Sequence, residues 1–310
     1  MKNKKKDIAI ILPVYNNEGS ISKLTQKIKE ACKKIKKTYQ IIFVDDGSSD
    51  QSWSKICKEN SFDKNIKGIN FISNFGQHNA IIAGLELSSA RYNIVMDCDL
   101  QDNPKYICDL YSEITKNKND VVAVAFSERN ENFFQRILSN LFWKMISILS
   151  NKNFNNRIGN YMIFPEKIKN GILKFKEQDK LLSGVLLLMG CKFGTINIRR
   201  EARYTGKSSY TFSKKLNYSI NLIINYSNII LKCFIFFNFI ILLLGSITIL
   251  YILYLAFFDL IQVSGWTGIM GGILSILIIQ SLFLIIISLY VNKLYKETKN
   301  RPNYLIRKIV

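Results

Sequence analysis

Two aspartates separated by a single residue, Asp97 and Asp99, follow a short apolar run that ends at Met96. Carboxylates at this spacing can both face one hard cation, and Mg²⁺ or Mn²⁺ commonly bridges a protein carboxylate to substrate phosphates. Such a cation neutralises the negative charge that develops on a departing diphosphate. The pair is therefore a candidate metal site, although a D-x-D segment is also typical of a solvated turn that caps a helix.

A second acidic pair, Asp45 and Asp46, ends another apolar run and is followed by Gly47. Glycine permits a tight turn at this point, and a carboxylate beside the turn can accept hydrogen bonds from a base or a ribose. The same segment can also cap the helix that follows. The residues that could supply this cap are Ser48, Ser49 and Asp50.

These acidic pairs need a scaffold, and the first half of the chain alternates between strand-like apolar runs and helical periodicity. Repeated β–α alternation predicts an α/β domain whose mostly parallel sheet is covered by helices on both faces. Ligands of such sheets bind at the carboxyl ends of the strands, where the polar clusters of this chain occur. The predicted strands are residues 8–15, 40–44, 67–72, 92–96, 120–126, 159–164 and 193–199, and the predicted helices are 18–37, 76–89, 104–116 and 132–149.

The formal net charge of +20 favours anionic partners, which include nucleic acid, phosphorylated small molecules and an acidic membrane surface. No basic stripe with interleaved aromatic residues is visible in the sequence, which argues against nucleic acid. The single histidine, His78, argues against a His-based metal site or a Ser-His-Asp triad. The six cysteines show no metal-ligand spacing and fit a reducing compartment.

Two long uncharged stretches, residues 233–258 and 260–292, are separated only by Asp259. Each exceeds the roughly 20 apolar residues that a helix needs to cross a bilayer core. Lysine and arginine flank the pair on both sides, so the positive-inside rule places both termini in the cytosol. The expectation is a multi-pass protein of the cytoplasmic membrane, and the alternative is a buried core hairpin. The predicted parts are a cytosolic domain at 1–210, an interfacial amphipathic region at 211–232, a transmembrane hairpin at 233–292 and a basic cytosolic tail at 293–310.

Four segments of the chain carry a family resemblance. Their succession resembles glycosyltransferase family 2, and the Leu-Gln-Asp extension with the C-terminal apolar pair resembles its polyprenyl-phosphate branch. That branch contains dolichol-phosphate mannose synthase and bactoprenol glucosyltransferase. The segments are Leu12-Pro13-Val14-Tyr15-Asn16-Asn17-Glu18, Val44-Asp45-Asp46-Gly47-Ser48-Ser49-Asp50, Ser73-Asn74-Phe75-Gly76 with Ala83-Gly84-Leu85, and Asp97-Cys98-Asp99-Leu100-Gln101-Asp102.

The resemblance implies a GT-A type nucleotide-sugar fold and a metal-dependent, inverting hexosyltransferase. Mg²⁺ or Mn²⁺ would be held directly by Asp99 and Gln101, with Asp97 close by or acting through water, and these three are the expected catalytic residues. The donor would be a UDP- or GDP-linked sugar, and His78 is expected to be a helix-face residue rather than the base. The expected nucleotide-binding residues are Pro13, Tyr15, Glu18, Asp45, Asp46 and Asn74.

A basic segment at residues 200–210 matches the R-x-x-R-x-x-G-x-S-x-Y pattern of the resembled family. Arginine offers a planar fork suited to phosphate, and Gly206 allows close backbone approach. The alternative is that these cations only meet anionic lipid head groups. The expected lipid-phosphate ligands are Arg129, Arg136, Arg200, Arg203, Lys207 and Ser208.

One segment departs from the family pattern. Relatives often carry an Asp two residues before the Gly of a Gly-x-Phe-Arg segment, whereas Arg157 stands in that place here and Met162 replaces the arginine. The chain has no obvious base there, unless the segment aligns a few residues away. A phosphomonoester, with a second pKa of about 6, is already largely ionised at pH 7. A lipid phosphate therefore needs positioning more than deprotonation.

The sequence thus predicts inverting transfer of a sugar from a nucleotide-diphosphate-sugar to a polyprenyl phosphate, expected to be undecaprenyl phosphate, at the cytosolic membrane face. The alternatives are a transferase that acts on a saccharide or lipid hydroxyl, and a non-catalytic membrane-anchored subunit that binds nucleotide-sugar. The expected partners are the donor, the lipid acceptor and the membrane, without nucleic acid, and a homo-oligomer is left open.

Overall fold

The computed structural model describes residues 5–116, 118–126, 158–175, 181–198 and 302–310, together with separate positions between 236 and 298. The chain divides into two compact units. One contains residues 1–140, 154–209 and 302–310, and the other contains residues 141–153 and 210–301. The predicted helix at 132–149 and the predicted interfacial region at 211–232 lie outside the described residues.

The described residues of the first unit form one eight-stranded sheet in the order β7-β5-β6-β4-β1-β2-β3-β8. Strands β1 to β4 are parallel to one another, and β5 is parallel to β7. Strand β6 is antiparallel to β4 and β5, and β8 is antiparallel to β3. The strands are β1 Lys6–Val14, β2 Tyr39–Asp45, β3 Ile66–Phe71, β4 Ala90–Val95, β5 Val121–Phe126, β6 Ile158–Pro165, β7 Phe193–Ile198 and β8 Ile306–Ile309.

Helices cover both faces of this sheet, as the strand sequences require. Alternate residues of β1 belong to different cores: Ile8, Ile10 and Leu12 lie in one, and Ala9 and Ile11 lie in the other. Because successive side chains of a strand point to opposite faces, a strand that is apolar throughout must be buried on both sides. The helices are α1 Ile21–Lys34, α2 Ser52–Phe62, α3 Gln77–Leu87, α4 Ile107–Ile114, α5 Glu166–Lys174 and α6 Leu182–Leu188, and a 3₁₀ turn at Pro104–Tyr106 precedes α4.

The predicted α/β architecture and mostly parallel sheet are confirmed. All seven predicted strands are present with shifts of one or two residues at their ends. Helix α1 begins three residues later than predicted, because residues 18–20 form a turn in which the Ser20 hydroxyl donates to the carbonyl of Asn17. Helices α5 and α6 and strand β8 were not predicted, and α2 was expected only as a helix without bounds after the possible caps at residues 48–50. Strand β8 lies within residues 293–310, the predicted basic tail.

The second unit is described only at separate positions. Those between 236 and 247 and between 269 and 298 have helical conformation. Several carry large apolar side chains that are exposed, among them Phe236, Leu244, Ile276 and Leu284. Within the described part of the chain, no helix is both long enough and apolar enough to cross a membrane.

Candidate functional site

The carboxyl ends of β4, β1, β2 and β3 lie side by side at one edge of the sheet, since these four strands are parallel neighbours. In the strand registers, Val14 is paired with Asp45, and Asp45 is paired with Asn70. Both acidic pairs follow strands of this group, so they share one edge of the sheet, as the β–α alternation predicted. Ligands of parallel α/β sheets bind at such an edge.

Asp45 is fully buried and both of its carboxylate oxygens have protein partners. Oδ1 accepts a hydrogen bond from the backbone N–H of Ser48 at 3.1 Å, and Oδ2 accepts one from Nδ2 of Asn70 at 2.7 Å. A buried carboxylate is costly unless it is hydrogen-bonded in this way. Asp45, predicted to bind nucleotide, therefore shapes the turn after β2 and ties that turn to β3. Asn70 was not among the predicted site residues, and only its register opposite Asp45 could have indicated it.

Gly47 brings the turn after β2 against the loop that follows β3. Its φ of +69° lies in the left-handed region, which favours glycine. A Cβ atom built on Gly47 would lie 2.5 Å from the backbone carbon of Ser73 and 2.8 Å from the backbone nitrogen of Asn74. Residues 72–76, which we call the β3–α3 loop, are therefore in backbone contact with the β2 turn.

Asp46 holds the far end of the β3–α3 loop. Its carboxylate accepts hydrogen bonds from the backbone N–H groups of Phe75 at 2.6 Å and Gly76 at 2.9 Å. The residue is only 3% exposed, and burial raises the pKa of Asp46 to about 6, an effect that the two N–H donors oppose. Asp46 is thus ionised at pH 7 and fixes two consecutive amides at the start of α3.

Gln77, the first residue of α3, links this loop to the second acidic segment. Its Nε2 donates a 2.6 Å hydrogen bond to Oδ1 of Asp97. The backbone N–H of Asp97 in turn donates to the Asp102 carboxylate at 2.9 Å. Sequence reasoning missed Gln77, although it directly follows the recognised Asn74-Phe75-Gly76 segment. The contact joins residues 20 positions apart, and no local pattern specifies it.

The turn between Asp99 and Gln101 is strained. Leu100 has a φ of +62°, a conformation that costs a residue other than glycine roughly 1–3 kcal/mol. Its side chain packs into the core beneath the turn, and the backbone N–H of Gln101 donates to Oδ1 of Asp99 at 3.1 Å. The buried leucine thus anchors a turn whose flanking polar residues, Asp99 and Gln101, are both half-buried.

The donor set at this edge fits a hard divalent cation that is shared with a substrate. Asp97, Asp99 and Gln101 offer carboxylate and amide oxygens, which suit Mg²⁺ or Mn²⁺. Among the described residues, no group of three or more His, Cys, Asp or Glu is arranged as a metal site. Mg²⁺ is usually bound through one or two protein carboxylates together with waters and substrate phosphates, so a closed protein cage is not required.

The loop after β1 is bound to the loop after β2. The Glu18 carboxylate accepts a 2.9 Å hydrogen bond from the backbone N–H of Gln51, beside the start of α2. Asn16 donates from its backbone to Ser48 and accepts from the backbone N–H of Ser49. Glu18 therefore supports the N-terminus of α2. Of the other predicted nucleotide-binding residues, Pro13 is half-buried, and Tyr15 and Asn74 are exposed at the edge.

His78 lies in the first turn of α3, in agreement with its assignment to a helix. The residue as a whole is half-buried, but its Nδ1 is buried and has no hydrogen-bond partner within the described residues. Burial lowers the pKa of His78 to about 4, because desolvation disfavours the charged imidazolium. The ring is neutral at pH 7 and adds no positive charge to the site.

The lipid-phosphate candidates lie outside the described residues, and so does Arg157 of the segment that departs from the family pattern. Strand β6, which begins at the next residue, has its amino end at the same edge as the carboxyl ends of β4 and β5. The candidates concerned are Arg129, Arg136, Arg200, Arg203, Lys207 and Ser208.

The sequence is similar to a known family and to several of its members. The sequence model described as Glycosyl transferase family 2 matches residues 9–176. The chain is 28% identical to an uncharacterized glycosyltransferase of Bacillus subtilis, YkcC, over 97% of this chain and 93% of the relative. It is 26% identical to the undecaprenyl-phosphate 4-deoxy-4-formamido-L-arabinose transferase of Yersinia enterocolitica, over 98% of this chain and 94% of the relative.

The fold is also similar to a solved structure. Glucosyl-3-phosphoglycerate synthase of Mycobacterium tuberculosis, in complex with Mn²⁺, UDP and glucosyl-3-phosphoglycerate, matches with a TM-score of 0.55. The match covers 71% of this chain and 78% of that chain at 13% sequence identity. At this identity the similarity concerns the fold alone.

Proposed function

The chain belongs to glycosyltransferase family 2 and has a GT-A fold, and from this premise we propose that it transfers a sugar from a nucleoside diphosphate to a polyprenyl phosphate at the cytosolic face of a membrane. The proposed acceptor is undecaprenyl phosphate, and the proposed donor is a UDP- or GDP-linked sugar. The transferase class follows from the family, whereas the donor, the acceptor and the membrane site are the parts that need testing.

One observation carries the proposal: the β3–α3 loop and the first residue of α3 together connect both acidic segments of the sheet edge. Asp46 binds the loop at Phe75 and Gly76, and Gln77 reaches Asp97. A nucleoside diphosphate sugar carries a base and ribose at one end and the sugar at the other, with the diphosphate between them. The polar residues at this edge of the sheet, with the acidic segment after β4 at one end, match that order of groups. This match supports placing the nucleoside near the β1 and β2 loops and the diphosphate near Asp97 and Asp99.

The proposed metal site lies at the part of this edge that is assigned to the diphosphate. When bound, Mg²⁺ or Mn²⁺ would neutralise the charge that develops on the departing diphosphate. Asp99 and Gln101 would hold it, since they flank the strained Leu100 turn, and Asp97 would assist in an orientation fixed by Gln77. The solved M. tuberculosis synthase, which contains Mn²⁺ and UDP, supports a divalent cation at this kind of site without distinguishing Mg²⁺ from Mn²⁺.

The proposed reaction is a single displacement. A phosphate oxygen of the lipid attacks the anomeric carbon and forms the new C–O bond. The bond from that carbon to the β-phosphate oxygen breaks, and the electron pair leaves with the nucleoside diphosphate. No proton needs to be removed, because the acceptor phosphate is already largely ionised at pH 7. This agrees with the lack of an obvious base in the segment that contains Arg157.

The lipid acceptor is supported by three further observations. The Yersinia relative, which aligns with 98% of this chain, is named as an undecaprenyl-phosphate transferase. The basic segment at residues 200–210 precedes two apolar stretches of membrane-spanning length. The helical positions described within those stretches expose large apolar side chains such as Phe236 and Ile276, which suits contact with lipid.

The acceptor assignment is tested with purified full-length protein in liposomes that contain either undecaprenyl phosphate or undecaprenol. Each is supplied with MnCl₂ and a panel of radiolabelled UDP- and GDP-sugars. We expect labelled lipid with the phosphate acceptor and none with the alcohol. Labelling of undecaprenol alone would show that the acceptor is a hydroxyl. Nucleotide binding without labelling of either lipid would favour a non-catalytic binding subunit.

A further inference from the structure

Strand β8 completes the edge of the sheet beside the proposed donor site. Its ladder with β3 includes paired 2.9 Å hydrogen bonds between the backbones of Gly68 and Val310, one in each direction. The ladder continues to the end of β3, where the backbone N–H of Ile72 donates to the carbonyl of Leu305 at 3.1 Å. Because β8 is antiparallel to β3, its amino end lies where the β3–α3 loop begins.

An aromatic series runs from β8 into that loop. The ring of Tyr304 stacks on Phe71, the last residue of β3, at a centroid distance of 4.9 Å and an interplanar angle of 16°. Phe71 meets Phe75 edge to face at 5.7 Å, and the backbone N–H of Phe75 donates to Asp46. The Tyr304 hydroxyl donates to the carboxylate of Glu86 in α3. Tyr304 thus contacts the elements on both sides of the loop.

Arg307 makes a further contact with Ile72, the first residue of the β3–α3 loop. Its Nη2 donates to the carbonyl of Ile72 at 3.0 Å, while the N–H of Ile72 is bound by Leu305. Both backbone groups of Ile72 are therefore held by the segment around β8. At the other end, Asp46 and Gln77 hold the loop to the acidic edge.

We propose that Tyr304 and Arg307 are positioning residues for the donor site, which act by fixing the β3–α3 loop at the end opposite Asp46. This inference rests on the proposed function, because the loop matters to catalysis only if it binds the donor. A strand that merely covered the sheet edge would change stability. A strand that positions the loop also changes donor affinity, since small displacements of binding groups carry large costs.

The experiment compares Arg307→Ala and Tyr304→Ala with the wild type and with two controls in the full-length protein. Tyr304→Phe keeps the stack on Phe71 and loses the hydroxyl, and Lys308→Ala removes a cation from the same strand while Arg307 remains. Hydrogen–deuterium exchange follows the amides of residues 72–77 against those of β1. UDP affinity in MnCl₂ and the KM and kcat for the donor are measured in parallel.

We expect the two positioning variants to exchange faster at residues 72–77 and to bind UDP about 10-fold more weakly, with KM raised more than kcat is lowered. Exchange in β1 and the behaviour of Lys308→Ala should remain as in the wild type, and Tyr304→Phe should retain most of the affinity. The inference is overturned if Arg307→Ala, which alters one exposed contact, leaves loop exchange and UDP affinity unchanged. If the wild type labels no lipid acceptor, the proposed function fails, while loop exchange still decides whether β8 orders the loop.

Discussion

Gln77 donates a 2.6 Å hydrogen bond from Nε2 to Oδ1 of Asp97, which joins the first turn of α3 to the acidic segment after β4. Two residues before Gln77, the same loop is bound by the Asp46 carboxylate. The two acidic pairs of the sequence therefore bind one continuous stretch of chain, formed by the end of the β3–α3 loop and the first residue of α3. In this arrangement a neutral amide orients Asp97, and Asp99 is the better candidate for direct metal binding.

Replacing the amide of Gln77 should weaken metal binding. Gln77→Leu keeps much of the side-chain volume but removes the donor that orients Asp97. Residues that orient metal ligands typically change metal affinity by about 10–100-fold when lost, and we expect a fall in this range. Mn²⁺ affinity is measured by electron paramagnetic resonance in the presence of saturating UDP, so the readout does not depend on turnover.

A second glutamine provides the matched control. Gln26 donates to Glu30 at 2.9 Å on the exposed surface of α1, so Gln26→Leu removes the same kind of amide–carboxylate contact away from the edge. This variant should bind Mn²⁺ as the wild type does. Equal Mn²⁺ affinity in Gln77→Leu and the wild type would show that the Gln77 contact does not orient a metal ligand.

Gly47→Ala should disturb the junction between the β2 turn and the β3–α3 loop. The new Cβ would lie 2.5 Å from the backbone of Ser73, and the left-handed φ of +69° adds strain. A loss of ~2–4 kcal/mol in folding free energy is expected, together with weaker UDP binding. The thermal midpoint, followed by tryptophan fluorescence, and a UDP titration measure the two effects.

Gly19 offers the corresponding control. A Cβ atom there would meet no heavy atom within 4 Å, and Gly19 is not among the residues with positive φ. Gly19→Ala should therefore leave the thermal midpoint and UDP affinity near those of the wild type. The interpretation of Gly47 is wrong if Gly47→Ala proves as stable and as tight in UDP binding as Gly19→Ala.

The contribution of Asp46 to the free energy of unfolding should decline as the pH rises. Burial raises the pKa of Asp46 from 3.8 to about 6, so the protonated carboxyl stabilises the folded state. This contribution is fully present below the ordinary value and is lost as the pH rises through about 6. It amounts to at most ~3 kcal/mol. The difference in thermal midpoint between wild type and Asp46→Asn should therefore vary across this pH range.

Asp7 provides a control whose pKa is shifted in the opposite direction. Hydrogen bonds from Thr38 lower the pKa of Asp7, so its contribution to stability is present at neutral pH and is lost on acidification. The difference in thermal midpoint between the wild type and Asp7→Asn should change with pH only below the ordinary aspartate pKa of ~3.9. If the difference in thermal midpoint between the wild type and Asp46→Asn did not change with pH, the Asp46 carboxyl would have an ordinary pKa in the folded protein.

The strands and the sheet edge could be predicted because they depend on local pattern. Runs such as residues 8–14 are apolar throughout, which indicates burial on both faces, and the polar residues follow directly at the strand ends. The partners of Asp45 and Asp97 could not be predicted, since they depend on the register of β2 with β3 and on where α3 begins. Strand β8 was missed because four residues of mixed Ile, Arg and Lys carry too little periodicity to indicate a strand.

Arg203→Ala should affect the acceptor and spare the donor. The guanidinium of Arg203 is proposed to hold the lipid phosphate, and a charge-assisted pair of this kind contributes more than a neutral hydrogen bond. We expect the KM for undecaprenyl phosphate to rise by about 10-fold or more, with UDP affinity unchanged. Lys167→Ala, which removes an exposed cation from α5, serves as the control. A matching rise in KM for Lys167→Ala would indicate general attraction of the lipid by positive charge.

The most direct test of the account is the transfer of radiolabelled sugar to undecaprenyl phosphate by the wild type and by Asp99→Ala, each with MnCl₂ and with EDTA. We expect labelled lipid only for the wild type with Mn²⁺, and an Asp99→Ala protein that is folded and inserted in the liposome but inactive. Equal labelling by Asp99→Ala, or full activity of the wild type in EDTA, would contradict a metal-assisted transfer at this edge.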